Sequence, residues 1–472
     1  MAAPLDSQLT FLSIEQAGRL LRRREISPVE LTEACLARIE RLNPHLNAFL
    51  TVLSDSARQQ ARAAERELRR KRWRGPLHGI PVALKDNFWT HGVRTTAGSK
   101  ILGGFVPDRD SRVARQLARA GAILLGKTNM HEFAYGITSE NPHYGPVHNP
   151  WAHERISGGS SGGSAVSVGV GMAFASVGTD TGGSIRIPAA LCGIVGLKPT
   201  FGLVSLEGVV PLAPSFDHAG PLARTVGDAC IMLEILAEGY RPSAERPNHR
   251  TLRRHRPRRF RLGWPQQYFF ERLDTEVRSL VEAGVNQLAS LGARVEPVSL
   301  PRLERSLDDA TNLIVAEASY YHESQGYYPT RAAEYGDDVR GHLQWGHDLL
   351  AVNYLRSLAG RREVEEDFDR IFGEVDVIVA PTSPIPAPPI GATDIRVAGE
   401  RETTLRAELL RMTRPANLTG LPALSIPCGF TRDGLPVGMQ LIGPRWSEAR
   451  LLAIALAYEE ETDWHKRHPV LA

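Results

Sequence analysis

Residues 158–186, GGSSGGSAVSVGVGMAFASVGTDTGGSIR, contain two Gly/Ser clusters separated by a run of small apolar residues. Stretches rich in glycine and serine are most often flexible linkers. Here, however, the second cluster follows AFASVGTD, a short apolar run typical of a strand that is buried on both faces. We therefore interpret the two clusters as tight turns that bring backbone segments close together inside a folded domain.

The composition is that of an ordinary globular protein. The chain has 472 residues, of which 42% are hydrophobic and 23% charged, with a formal net charge of +3. These proportions allow a large core, and the small net charge predicts neither a nucleic-acid nor an acidic membrane partner. The N-terminus, MAAPLDSQLTFLS, lacks the basic and apolar regions of a secretion signal. The apolar stretch 165–178 is shorter than the roughly 20 residues that span a bilayer, so we expect a soluble protein.

The cysteines are widely scattered, without a CxxC pair or zinc-like spacing, at Cys35, Cys192, Cys230 and Cys428. This usage predicts a reducing, cytoplasmic location and no metal site.

Strand and helix patterns alternate along the chain. Capping boxes at Ser13–Gln16 and Ser27–Glu30 precede amphipathic runs, and a third helix is predicted over 54–71. GIPVALKDNF, GAILLGKTN and AFASVGTD then resemble buried strands, with a helix over 111–120 between the first two. After residue 263 we predict helices over 274–292, 305–326, 350–372 and 446–461, and strands at 293–299, DVIVAPT, ALSIPC and VGMQLIG.

This alternation predicts an α/β protein with one central mixed sheet covered by helices on both faces. We predict a single domain over 1–472. Its parts are a helical N-terminal layer (1–72), a core with the Gly/Ser clusters (73–240), an Arg/Pro-rich surface connection (241–262) and a C-terminal half (263–472). The arginine run in the connection has no interleaved aromatic residues, which favours a solvated crossing over a polyanion site.

Two motifs match known patterns in an unsuitable context. GAILLGKT, residues 121–128, fits the phosphate-loop pattern GxxxxGK[ST], but its variable positions look like a strand that follows a helix. We therefore favour an ordinary strand-end role for Lys127 over nucleotide binding. GGSSG, residues 158–162, fits the nucleophile elbow GxSxG, yet NPWAHERIS before it is loop-like rather than a strand.

Four histidines, His131, His143, His148 and His153, lie close together in the sequence without an HExxH motif. We interpret them as surface or hydrogen-bonding residues rather than metal ligands.

Three residues together suggest nucleophilic catalysis. Lys85 ends the apolar run IPVALK, and burial of a lysine lowers its pKa and makes it a base. A serine hydroxyl such as that of Ser160 or Ser184 becomes a nucleophile only when a neighbouring group takes its proton. Gly182 and Gly183, just before Ser184, allow successive amides to point at one oxyanion.

These segments resemble the amidase signature family. The resemblance rests on GIPVALKDN, GGSSGGSA and GTDTGGSIRIPA, with 75 residues from Lys85 to Ser160 and 24 from Ser160 to Ser184. SFDHAGPLARTVGDA at 215–229, and RPANLTGLPALSIPCG with GLPVGMQLIG within 414–443, are similar to further blocks of that family. The resemblance covers nearly the whole chain and implies the single large amidase-signature fold.

The resemblance also implies site residues. Ser184 would be the acylated nucleophile, Ser160 the bridging serine after a cis peptide bond from Gly159, and Lys85 the general base. The oxyanion hole would consist of the backbone amides of Thr181, Gly182, Gly183 and Ser184. Three further residues would support the triad by hydrogen bonding: Ser161, Asp180 and Arg186. No cofactor and no metal is implied.

The implied reaction is hydrolysis of an amide C–N bond through an acyl-serine, and esters or carbamates remain open as substrates. We weigh a free-standing amidase for weakly charged aryl or alkyl amides against the glutamine-hydrolysing A subunit of a glutamyl-tRNA amidotransferase. The amidotransferase chain is expected to place an acid seven residues before Asn417 and an arginine on an earlier helix. Here these positions are Leu410 and Gly341 or His342, which favours the free-standing enzyme. Its expected partner is a small amide, with no nucleic acid or membrane, in a monomer or homodimer.

Overall fold

The computed structural model describes residues 9–237, 248–252, 254, 257–397 and 403–471. The strands in chain order are β1 Phe49–Val52, β2 Pro81–Lys85, β3 Ile123–Thr128, β4 Glu140–Asn141, β5 Gly145–Pro146, β6 Ala175–Asp180, β7 Val195–Lys198, β8 His218–Ala223, β9 Phe260–Trp264, β10 Ala293–Pro297, β11 Val377–Pro381, β12 Asp394–Ile395, β13 Thr403–Thr404, β14 Ala423–Phe430 and β15 Pro436–Ile442.

The α-helices of the described residues are α1 Ile14–Arg23, α2 Pro28–Leu46, α3 Ser54–Arg69, α4 Arg112–Arg119, α5 Gly162–Gly169, α6 Arg186–Cys192, α7 Val226–Leu236, α8 His249–Leu252, α9 Thr275–Ser290, α10 Ser306–Ser324, α11 Asp337–His347, α12 Ala351–Glu374, α13 Leu405–Leu418 and α14 Glu448–Glu460.

One mixed sheet of eleven strands organises the molecule, in the order β1-β3-β2-β6-β8-β7-β14-β15-β11-β9-β10. Strands β3, β2 and β6 are parallel, the pairs from β6 to β11 through β8, β7, β14 and β15 are antiparallel, and β11, β9 and β10 are parallel again. The predicted mixed α/β architecture is confirmed. Because β7 pairs with β14, strands from both halves of the chain belong to the same sheet.

The central strands are buried throughout their length, as their apolar runs predict. All residues of β2, β6, β7, β8, β11 and β15 are buried. Such strands present no solvated face, which explains why their sequences do not alternate between polar and apolar residues. Lys85 and Asp180 stand at the carboxyl ends of β2 and β6, where a parallel pair delivers its side chains to one edge.

The N-terminal layer is helical, with one difference from the prediction. Both capping boxes form, at Ser13 with Gln16 and at Ser27 with Glu30. Between α2 and α3, however, β1 pairs antiparallel with β3 at the edge of the sheet. A Cβ at Gly126 in β3 would overlap the Thr51 carbonyl oxygen of β1. Glycine therefore permits the close approach of this edge strand.

The Arg/Pro-rich connection predicted over 241–262 is described only in part. It contains the short helix α8 and the first residues of β9, whereas 241–247, 253, 255 and 256 lie outside the described residues.

The four cysteines are all buried, and none is bonded to another. None of the helices in the described ranges has both the length and the apolar character required to cross a membrane.

Candidate active site

Lys85 is buried at the end of β2 and faces two hydroxyl groups. Its Nζ lies 2.8 Å from Ser160 Oγ and 2.8 Å from Thr179 Oγ1. Burial lowers the pKa of Lys85 from 10.5 to about 7, and the carboxylates of Asp180 and Asp217 oppose this only in part. Near neutral pH, a large fraction of this lysine is therefore uncharged and able to accept a proton.

The two Gly/Ser clusters meet beside Lys85. Ser160 lies in the turn before α5, and the peptide bond from Gly159 to Ser160 is cis. The Ser161 amide donates to the Ser184 carbonyl at 3.2 Å, and the Ser161 hydroxyl donates to the Thr179 carbonyl at 3.2 Å. The clusters are thus ordered turns locked to each other, and the linker interpretation is excluded.

An ion pair anchors the turn that carries Ser184. The Asp180 carboxylate accepts from the Gly183 amide at 2.8 Å and from Arg186 Nε at 3.1 Å. Arg186 in turn donates to Gln440 Oε1 at 2.9 Å and to Asn417 Oδ1 at 2.6 Å. Burial would raise the pKa of Asp180, but the charge of Arg186 and its hydrogen bonds hold it well below its usual range. Both side chains are fully buried, so this network fixes the turn.

The backbone amides around Ser184 are not equivalent. In the part of the chain that the structure describes, the amides of Thr181, Gly182 and Ser184 have no protein acceptor, whereas Gly183 donates to Asp180. Gly183 was predicted to donate its amide to the oxyanion, but in the structure this amide donates to Asp180. The carboxylate holds the turn by occupying that amide, which leaves three free donors next to the Ser184 hydroxyl.

Three polar residues of the site were missed in the sequence. Thr179 bridges Lys85 and Asn87, since Asn87 Nδ2 donates to its hydroxyl at 3.2 Å. The Thr181 hydroxyl donates to Asp217 at 2.5 Å, and burial raises the pKa of Asp217 to about 6. Asn87 and Asp217 lie within the segments GIPVALKDN and SFDHAGPLARTVGDA. Their place in these family-like segments was therefore the signal by which the two residues could have been found.

Ser184 opens onto a small cavity, whose other walls include Tyr135, Leu212, Ile314, Arg406, Leu410 and Arg414. Leu410 lies at the position where an amidotransferase chain is expected to carry an acid. The absence of an arginine was predicted only for positions 341 and 342 on α11, which are glycine and histidine. The arginines of the cavity come from α13 instead. Residues 406, 410 and 414 are four apart and therefore share one helix face.

Lys127 has a structural role, as predicted. It is buried within β3, pairs with Asp86 at 3.3 Å and donates to the Thr95 hydroxyl at 2.9 Å. The GxxxxGKT motif therefore forms a strand and not a phosphate-binding loop before a helix. The GxSxG match likewise follows a loop rather than a strand.

The four histidines of the sequence cluster are occupied by protein partners. His131 Nε2 lies 2.7 Å from Asp338, and His143 Nε2 lies 2.7 Å from Glu132. His148 and His153 stack on each other at 3.8 Å. Among the described residues, no three His, Cys, Asp or Glu side chains are grouped as metal ligands.

Comparison with known proteins gives consistent matches over nearly the whole chain. A family model described as Amidase matches residues 30–452. The A subunit of glutamyl-tRNA(Gln) amidotransferase from Methylococcus capsulatus is 43% identical over 476 residues, 95% of this chain and 96% of that protein. The protein of the same name from Gloeothece citriformis is 42% identical over 488 residues, 97% of this chain and 99% of its own. A crystal structure described as an amidase superposes with a TM-score of 0.88 at 38% identity and covers 95% of this chain and 100% of its own.

Proposed function

The chain belongs to the amidase (amidase signature) family of hydrolases, and on that premise we propose that it cleaves an amide C–N bond through an ester on Ser184. One observation carries the proposal. The buried Nζ of Lys85, whose pKa is lowered to about 7, lies 2.8 Å from Ser160 Oγ in a turn hydrogen-bonded to that of Ser184. This arrangement supports a path for a proton from the nucleophile to a base.

In the acylation step, uncharged Lys85 accepts the proton of Ser160, and Ser160 accepts the proton of Ser184. The Ser184 oxygen forms a bond to the carbonyl carbon, and the carbonyl π electrons move onto oxygen. The free amides of Thr181, Gly182 and Ser184 stabilise this oxyanion. The electron pair on the oxyanion then re-forms the C=O bond as the C–N bond breaks, and the nitrogen takes the proton that Lys85 holds, through Ser160, and leaves as the amine or as ammonia.

In the deacylation step, water takes the place of the leaving nitrogen. Its proton passes through Ser160 to Lys85 while its oxygen bonds to the acyl carbon. The ester bond then breaks, and Ser184 recovers its proton along the same path. The products are a carboxylic acid and free enzyme, and every proton is accounted for by the three side chains and water.

Ammonia release from a panel of simple amides tests the proposal. We expect Ser184→Ala to abolish turnover, because no acyl-enzyme can form. Ser167→Ala is a matched control, since Ser167 is a buried serine in the adjacent helix α5 whose hydroxyl donates only to the Ser164 carbonyl. Turnover that survives in Ser184→Ala would contradict the proposal.

The reaction could take place in either of two settings, an amidotransferase complex or a free-standing amidase. The relatives that are 42–43% identical are named as components of an amidotransferase, and they favour the amidotransferase setting over the free-standing amidase. In that setting the chain would work with partner subunits and a tRNA-linked reaction, against the expectation of a monomer or homodimer without nucleic acid. Glutaminase activity should then be negligible for the chain alone and rise when partner subunits of glutamyl-tRNA amidotransferase are added.

The free-standing amidase is favoured by the cavity itself. Glutamine carries an ammonium as well as a carboxylate, and Leu410 offers no charge to the ammonium. In this setting the purified chain turns over simple amides by itself, and glutamine is a poor substrate. The unpaired, scattered cysteines agree with a reaction in the cytoplasm in either setting.

A further inference from the structure

The cavity beside Ser184 is small, and most of its lining is buried. Its volume is about 20 Å³, and all of its lining side chains are buried except that of Arg406, which is partly exposed. Arg414 lies beside the turn that carries Ser184, since a Cβ placed on Gly182 would be 3.5 Å from Arg414 Nε. A cavity of about 20 Å³ holds about one water molecule, so a larger substrate requires some of the lining side chains to move.

The two arginines have no carboxylate partner. Within the described ranges, neither Arg406 nor Arg414 forms an ion pair, although Asp338 and Asp308 favour their charged forms at longer range. Arg414 donates through Nη1 to the Leu307 carbonyl at 3.1 Å and to the Thr311 hydroxyl. Arg414 Nε has no acceptor.

Arg414 is buried, and a buried positive charge without a carboxylate partner is costly. Burial lowers the pKa of Arg414 to about 9, and the nearby charge of Arg406 adds to this. Arg406 lies 5.7 Å from the centre of the Tyr135 ring, a contact that offsets only part of the lost hydration. An anion at this position would supply the missing partner for both guanidinium groups.

A second lining residue of the same cavity carries an unpartnered polar atom. Tyr135 Oη is buried without a hydrogen-bond partner. With Arg414 Nε, two buried polar atoms on side chains that line the cavity lack partners, and neither belongs to an acid. Buried polar groups are almost always hydrogen-bonded to protein, water or a ligand, so these atoms are available to a group bound in the cavity.

We propose that Arg406 and Arg414 bind a carboxylate on the acyl part of the substrate, so that the enzyme acts on monoamides of short dicarboxylic acids that lack an ammonium group. This inference rests on the proposed function and narrows its substrate class. The guanidinium groups and the Tyr135 hydroxyl donate to the carboxylate, while the amide carbonyl lies at Ser184. Leu410, on the α13 face between the two arginines, excludes an ammonium because it leaves that charge without a partner.

Three amides of matched length test the proposal by ammonia release: glutaramate, which is glutamine without its amino group, pentanamide, and glutamine. We expect kcat/KM for glutaramate to exceed both others by about 10- to 100-fold. Arg406→Gln should bring the glutaramate-to-pentanamide ratio close to one, mainly through KM. The exposed Arg396, ten residues earlier, gives the control Arg396→Gln, which should leave the ratio unchanged.

A binding measurement separates this inference from the proposed function. In Ser184→Ala, calorimetric binding of glutaramate should weaken about 10- to 100-fold when Arg406→Gln is added. Arg414→Lys provides a second variant that keeps a charge near the Thr311 contact. If pentanamide is turned over as well as glutaramate and Arg406→Gln has no effect, the carboxylate site is refuted while the hydrolase stands. If no amide is turned over, either by the chain alone or with the partner subunits added, but binding depends on Arg406, the proposed function fails and the site stands. If glutamine is preferred, the exclusion of an ammonium is wrong.

Discussion

Replacing Lys85 with methionine should abolish activity and, at neutral pH, make the protein more stable. The ammonium of Lys85 is disfavoured in the native state because it is buried beside neutral hydroxyl groups. Methionine has a similar length and no charge, so it can occupy the same space without this cost. If the protein becomes more stable when Lys85 is removed, this is direct evidence that the fold disfavours the charged form of the lysine.

The size of the effect follows from the pKa of Lys85. Because its pKa falls from 10.5 to about 7 on folding, Lys85 lowers the free energy of unfolding at pH 7 by about 4 kcal/mol. Methionine also loses the hydrogen bonds to Ser160 and Thr179, each with a contribution of about 1 kcal/mol. We therefore expect Lys85→Met to be more stable than the wild type by about 2 kcal/mol at pH 7.

The gain should depend on pH in a definite direction. Between pH 7 and 10.5 the unfolded chain keeps the lysine proton while the native protein has lost it, so wild-type stability rises with pH in this window. Lys85→Met lacks this dependence. The difference between the two proteins should therefore shift by about 2 kcal/mol in favour of the wild type from pH 7 to pH 9.

Urea unfolding at pH 7 and pH 9 measures both quantities. Lys127→Met is the matched control, because Lys127 is equally buried but pairs with Asp86 at 3.3 Å. Its removal leaves a buried carboxylate alone and should destabilise the protein. If Lys85→Met is less stable than the wild type at pH 7, with a difference that is the same at pH 9, Lys85 is charged in the native state and the proposed base is lost.

Three further outcomes are expected. The kcat/KM of the wild type should rise with pH through about 7 and level off above it, as Lys85 loses its proton; a profile that is flat from pH 5 to 9 would refute the assignment of the base. Thr179→Val removes an acceptor of a Lys85 N–H and should move this rise to lower pH, because the hydrogen bond favours the charged lysine; an unmoved profile would show that Thr179 does not tune the base. Gly183→Ala should lower turnover by at least ~100-fold, because φ at Gly183 is +134° and a Cβ there would overlap Thr413 Oγ1. Circular dichroism checks that this variant is folded. Gly227→Ala is the control and should remain active, since a Cβ at Gly227 would lie 3.9 Å from its nearest neighbour atom.

Local patterns in the sequence were sufficient for most elements of the fold. The helix predicted over 54–71 spans Ser54–Arg69, and the one predicted over 274–292 spans Thr275–Ser290. Both predictions succeed because apolar spacing acts within a few turns of the chain, and Asp274 also caps the second helix. Helix α13 was not predicted, and it contains Pro415 in its last turn. Proline normally marks a helix end, so local reasoning works against such a segment.

The candidate site was predictable only as a set of ordered segments. Taken singly, Lys85, Ser160 and Ser184 are ordinary residues of a strand end and two turns. Their order and spacing matched the amidase signature family, and that resemblance supplied the proposed roles. The sequence by itself therefore determined the fold class, the family and the residues that were candidates for the chemistry.

The tertiary structure alone decided the environment of those residues. Ser160 contacts Lys85, although 75 positions separate the two residues. The Gly183 amide donates to Asp180, and Arg406 and Arg414 line the cavity of Ser184. The pKa of a lysine and the charge of a cavity depend on which distant segments exclude water and which counter-charges they bring. Local periodicity carries no information about segments that meet from distant parts of the chain, and for this reason the arginines of the cavity emerged only when the chain was folded.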